Sequence, residues 1–172
     1  MIALADLNGM DRAGFVDVLG GIFEHSPWIA DAAYDARPFA SVEALHAEIT
    51  AMVRAAPKER RLQLLRAHPE LAAKSERKAP LTAESTSEQA GVGLDTLDAD
   101  EAARLSAANW LYRQRFDFPF IIAVRGQRDR AAILKALETR TANGEAEEIE
   151  TALNEVAKIA WFRLSDLVKG QE

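Results

Sequence analysis

Apolar residues recur along this chain at helical spacing almost from end to end. Phe15, Val18, Leu19, Ile22 and Phe23 fall at i, i+3, i+4, i+7 and i+8, one stripe on one helix face. Ser26-Pro27 has the residue types of a cap and a first helical position, so a second helix is expected there, ending before Pro38. Ser41 is placed to cap a third, with Val42, Leu45, Ile49 and the Met52/Val53 pair on one side. Pro57 opens a fourth, with Leu62 and Leu65 turned inward, and His68-Pro69 ends it. Residues 69–81 hold Pro69, Pro80, several basic side chains and few large apolar ones, the pattern of a long loop. A short helix is expected from Thr82 or Ser85 to about Ala90, closed by Gly91 and Gly93.

Asp98-Ala99-Asp100-Glu101 forms a capping box for a helix carrying Leu105, Ala108, Leu111 and Tyr112. Asp129 should cap a helix running to about Thr139, and Asn143-Gly144 marks a turn. A long last helix then brings Ile149, Leu153, Val156, Ala160, Arg163 and Leu167 near one face. The exception is Phe116 to Val124, aromatic and β-branched around Pro119. A lone strand has nothing to pair with, so this stretch reads as a buried extended segment. The class is all-α, one compact domain over residues 1–172 with about seven to nine helices.

Length and composition narrow the function. A chain of 172 residues buries roughly 70% of its unfolded surface, enough for a real core. Net charge is −6, which offers nothing to offset phosphate repulsion, so neither nucleic acid nor an anionic membrane is an expected partner. There is no cysteine, which excludes disulfides, thiolate nucleophiles and Cys-ligated zinc. Three scattered histidines do not make a metal cluster, so no metal is expected. The start lacks a basic region followed by a long apolar one, and no apolar run is long enough to span a bilayer; a cytoplasmic protein is expected.

His68 carries the most chemical information. It stands where a helix ends and Pro69 forbids its continuation, so the imidazole meets the negative end of the helix dipole at a set angle. Its unperturbed pKa of about 6.5 suits a general acid/base near neutrality. The plainer role is to complement the dipole. Glu88, in Ser85-Thr86-Ser87-Glu88-Gln89, is either the second half of a capping box or a carboxylate that orients His68. A helix start there would also offer N–H groups to an anion. Arg163 lies on the apolar stripe of the last helix, where a cation should be paired: the plainer reading is a structural salt bridge or a snorkelling arginine, the functional one a clamp for a substrate carboxylate. Arg125 has the same two readings. His25, at a helix end, and His46, on a helix face, read as structural. An acid/base, an orienting carboxylate and an apolar wall at Phe116–Val124 are the parts of a proton-transfer site.

In this order and spacing, a set of motifs resembles the 2-oxo-4-hydroxy-4-carboxy-5-ureidoimidazoline (OHCU) decarboxylase family, the third enzymes of urate degradation. They are Ile22-Phe23-Glu24-x-Ser26-Pro27-Trp28, Arg37-Pro38-Phe39, Ala67-His68-Pro69-Glu70-Leu71, Leu81-Thr82-x-x-Ser85-x-x-Glu88-Gln89, Asn109-x-x-Tyr112, Phe118-Pro119-Phe120-Ile121 and Arg163-Leu164-x-Asp166-Leu167. The resemblance implies an all-α homodimer that uses no cofactor and makes (S)-allantoin and carbon dioxide. It implies His68 as proton-transfer residue with Glu88 as its partner. It also implies substrate contacts from Pro69, from Ser85, Thr86, Ser87, Glu88 and Gln89, from the backbone of Phe120, Ile121, Ile122, Ala123 and Val124, and from Arg163. The family more often has glycine where Asp117 and Ala73 stand. Two other classes remain beside it: a non-catalytic helical interaction module, with Phe118 and Phe120 as exposed anchors, and a lyase acting on another small carboxylate.

Overall fold

The computed structural model describes residues 1–72, 94 and 96–170. The expected short helix over 82–90, its closing glycines, Ala73 and most of the 69–81 loop lie outside them. Eight α-helices and a two-strand pairing occur among the described residues. They fall into two compact units, Met1–Ala67 with Val156–Glu172, and His68–Glu155.

The first unit begins with β1 (Ile2–Ala3), which pairs in parallel with β2 (Val168–Lys169), Ile2 opposite Val168. Helix α1 (Leu4–Gly9) follows directly. Its two buried leucines, Leu4 and Leu7, are too short a pattern for periodicity to have announced it. Helix α2 (Arg12–Leu19) is capped by Asp11, whose side chain accepts from the Gly14 N–H. The stripe read as one helix through Phe23 therefore ends four residues early. Gly20 closes it: its N–H bonds the Val16 carbonyl at 2.7 Å, and a Cβ there would lie 2.6 Å from that oxygen. Ile22 and Phe23 are still buried, but from turns. His25 sits in one of these turns, exposed and with φ at 48°.

Helix α3 (Trp28–Ala33) starts one residue later than the Ser26-Pro27 signal placed it, with Pro27 as cap residue, and a 3-10 turn (Tyr34–Ala36) extends it. Helix α4 (Val42–Ala55) has the expected cap: Ser41 Oγ accepts from the Ala44 N–H at 3.1 Å. It buries Val42, Leu45, Ile49 and Val53. Helix α5 (Lys58–Ala67) ends immediately before His68, as Pro69 requires. Leu64 joins Leu65 inside, while Leu62 is only half-buried. His46 is structural: its Nε2 lies 2.8 Å from the Ala157 carbonyl and its ring meets Trp161 edge-on.

The second unit holds α6 (Ala99–Phe116), α7 (Arg130–Arg140) and the first half of α8 (Glu145–Leu167). The Asp98–Glu101 capping box is complete in both directions. Asp129 caps α7 through the Ala132 N–H. Helix α6 buries Leu105, Asn109, Tyr112 and Phe116, spaced four, three and four apart. Leu111, expected on that face, is 55% exposed. It stands two residues from Asn109, about 200° around the helix, on the opposite side. Asp117 then stops α6 in the left-handed region, φ 58° and ψ 22°, with its N–H on the Arg113 carbonyl. Phe116 thus belongs to the helix. Beyond it Phe118 to Val124 run buried and without helix or strand up to a 3-10 turn (Val124–Gly126), which is the segment the sequence predicted. Among the described residues no helix is long and apolar enough to cross a membrane.

Candidate active site

His68 leaves the end of α5 with only 8% of its surface exposed. The chain turns at once: Pro69 and Glu70 are half-buried, Leu71 is buried, and Ala72 takes φ 52°. This turn is held from α6. Asn109, itself buried, donates Nδ2–H to the Leu71 carbonyl at 3.1 Å, while its Oδ1 has no partner among the described residues. Ser85, Thr86, Ser87, Glu88 and Gln89 lie outside the described residues.

Phe120 to Val124 form a wall under tight control. Arg140 donates from Nη1 to the Ile121 carbonyl at 2.7 Å, and the Ala123 N–H donates to Glu155 Oε2 at 2.8 Å. The Ala123 carbonyl accepts from the Gly126 N–H and, at 3.4 Å, from Gln127 Nε2. The Ile122 N–H and C=O make no hydrogen bond among the described residues. Phe118 and Phe120 pack edge-on against Tyr112, and both are fully buried, not exposed anchors. The Arg140 guanidinium stacks over Phe120, 4.5 Å from the ring centroid.

Beneath the wall lies a polar network that the sequence reading missed. Glu148, with no exposed surface, accepts from the Tyr112 hydroxyl, from Arg140 Nε at 2.9 Å and Nη2 at 2.6 Å, and from Asn143 Nδ2 at 2.7 Å. Burial, reinforced by the Glu148 carboxylate, pushes the Tyr112 phenol well above its usual range, so it stays a donor. The signal was present. Arg140 follows Ile133 and Leu137 at i+7 and i+3, a cation on an apolar face, and Glu148 and Glu155 stand seven apart beside Ile149 and Val156. The reasoning applied to Arg163 would have found them.

Arg163 belongs to the first unit and is paired there. Its Nη1 lies 3.0 Å from Glu24 Oε2, both side chains buried, with the Gly21 and Ile22 carbonyls at 3.4 Å. The protein-carboxylate partner anticipated for it is thus Glu24, which the sequence reading had noted only within a motif. Arg125 is exposed on the 3-10 turn. A separate cleft of about 660 Å³ between α6 and α7, lined by Leu97, Leu105, Ile133 and Leu134 and rimmed by the Arg130–Glu101 pair, contains none of the expected site residues.

The family model described as OHCU decarboxylase matches residues 8–165. A Haloferax volcanii protein named 2-oxo-4-hydroxy-4-carboxy-5-ureidoimidazoline decarboxylase is 41% identical over 96% of this chain and 95% of its own. The mouse protein of the same name is 42% identical over 96% of this chain and 92% of its own. Among solved structures, an (S)-allantoin synthase superposes with a TM-score of 0.78 at 30% identity, covering 97% of this chain and 54% of that longer one. An OHCU decarboxylase solved in the presence of (S)-allantoin has the same fold, with a TM-score of 0.69 at 24% identity. With the model matching from the first helix to the last and near-full-length relatives at 41% and 42% identity, this chain belongs to the OHCU decarboxylase family.

Proposed function

We propose that this protein decarboxylates 2-oxo-4-hydroxy-4-carboxy-5-ureidoimidazoline to (S)-allantoin and carbon dioxide in urate degradation. The observation that carries the reading is the family match over residues 8–165, a span that includes His68, Glu88 and Arg163. The match spans both compact units, which favours one functional domain over residues 1–172.

Loss of carbon dioxide leaves an electron pair that needs a sink. The substrate supplies one, the conjugated imine of its ring, so the reaction calls for no cofactor. As the bond to the carboxylate breaks, its pair forms a double bond to the neighbouring ring carbon and the imine nitrogen takes up a proton. The hydroxyl left on the decarboxylated carbon then gives up its proton to become a carbonyl, and a proton is delivered from one face to the neighbouring, ureido-bearing carbon. His68 assists departure of carbon dioxide and delivers the proton. Glu88 fixes its tautomer and stabilises the imidazolium. Arg163 anchors the substrate carboxylate, its guanidinium plane set by Glu24. Pro69 and the helix start at Ser85, Thr86, Ser87 and Gln89 contact the ring. The backbone of Phe120 to Val124 pairs with its amide edge. The Ile121 carbonyl and the Ala123 N–H and C=O are already engaged, whereas Ile122 offers a donor and an acceptor on one residue. The protein acts in the cytoplasm as a homodimer, and sedimentation equilibrium would report the dimer.

The test generates the substrate in place from urate with urate oxidase and hydroxyisourate hydrolase, and follows the optical activity of the product by circular dichroism. Rapid appearance of (S)-allantoin is expected, and its loss in His68→Ala with helicity unchanged. Slow decay to racemate with and without the protein would overturn the reading. Stereoselective turnover by His68→Ala would overturn the role of His68.

A further inference from the structure

We infer that Glu155 is a positioning residue that, with Arg140, holds the 120–124 segment so that the Ile122 peptide groups face the substrate. The inference rests on the proposed role of that segment as the binding wall. Three observations carry it. The first is geometric. In extended backbone the carbonyl of one residue and the N–H two residues on point to the same side, and the groups of the residue between them point to the other. Arg140 takes the Ile121 carbonyl at 2.7 Å and Glu155 takes the Ala123 N–H at 2.8 Å, so both grips lie on one side. The Ile122 N–H and C=O are thereby turned away from them. A neighbouring donor and acceptor fit the N–H and C=O of a cyclic amide or ureide edge, two parallel hydrogen bonds in one plane.

The second observation is cost. Glu155 and Arg140 are both buried, and buried ionisable groups are expensive unless their bonds are made. A fold that needed only a packed segment could have filled these positions with leucine. The third is redundancy. Arg140 is itself held by Glu148 through two nitrogens and stacks on Phe120, so the grip on Ile121 has almost no freedom to rotate. Glu155 supplies the matching point two residues on.

The experiment compares Glu155→Leu, which removes the acceptor at similar size, Glu155→Asp, which withdraws it by one methylene, and Glu155→Gln, which keeps an acceptor oxygen. Steady-state kinetics on the generated substrate are paired with hydrogen exchange of the peptide spanning 118–127 in each full-length protein. The expected result is a rise in KM of about tenfold for Glu155→Leu, the equivalent of one lost hydrogen bond, with a smaller fall in kcat. Glu155→Asp should move the same way, should Glu155→Leu fail to fold, and Glu155→Gln should recover most of the loss. Exchange in 118–127 should speed up in Leu and Asp and not in Gln. A merely structural role would lower the folded fraction, and hence kcat, at unchanged KM, and would overturn the inference. So would unchanged exchange in 118–127. If the wild type itself shows no turnover, the decarboxylase reading fails, and the exchange comparison still decides whether Glu155 holds the segment.

Discussion

Replacing Glu148 with leucine tests the polar network under the wall most directly. The side chain is fully buried and collects donors from Tyr112, Arg140 and Asn143. Leucine fills much of the space but accepts nothing, so Arg140, a residue only 9% exposed, loses its counter-charge. Breaking one side of a buried ion pair costs about 3–5 kcal/mol, and the orphaned Tyr112 hydroxyl adds about 1 kcal/mol. The sum, about 4–6 kcal/mol, is a large share of the roughly 5–15 kcal/mol that holds a typical domain folded. For a chain of this length it corresponds to a fall in Tm of roughly 10–20 °C. Thermal and urea unfolding followed by far-ultraviolet circular dichroism would measure it. The double variant Glu148→Leu/Arg140→Met should recover about 2 kcal/mol relative to the sum of the two singles, because a fully apolar replacement strands no charge. The bond from Arg140 to the Ile121 carbonyl is lost in both backgrounds carrying Met, so recovery stays incomplete. A Glu148→Leu Tm within about 3 °C of wild type, or strict additivity in the cycle, would refute the reasoning.

Two further outcomes follow from single positions. Tyr112→Phe removes one donor from a buried carboxylate and should cost about 1–2 kcal/mol at neutral pH. The phenol pKa is raised on folding above 10.0, so its contribution is complete below that pH and is lost as pH rises; the gap between wild type and Tyr112→Phe should narrow in urea titrations above pH 10.0, and a constant gap would sink the argument. At Asp117, with φ 58°, Asp117→Val should destabilise by about 1–2 kcal/mol while Asp117→Gly is neutral or stabilising, and equal Tm values for Val and wild type would contradict the left-handed cap.

Where local chemistry suffices, the chain was readable. Ser41, Asp98, Asp129 and Pro69 each set a helix boundary within one or two residues, because capping and the missing proline N–H act over a single turn. The aromatic run after α6 was likewise legible as buried and non-helical, since Pro119 and the β-branched residues disfavour helix and the apolar content disfavours water. Errors came where apolar spacing outlasted the helix, at Ile22 and Phe23 beyond Gly20, or where one apolar residue stood off the stripe, at Leu111.

Sequence by itself determined the all-α class, the place of His68 at a helix end and the need of Arg163 for a partner, because each depends on neighbours within a few residues along the chain. Only the tertiary structure decided which partners those charges took. Glu24 with Arg163, Glu148 with Arg140, and Glu155 with the Ala123 amide are joined across 139, 8 and 32 positions. No local pattern states which buried cation meets which buried anion. Their pairing is selected by packing, since the desolvation each charge suffers is offset only by the partner that the fold brings within hydrogen-bond reach.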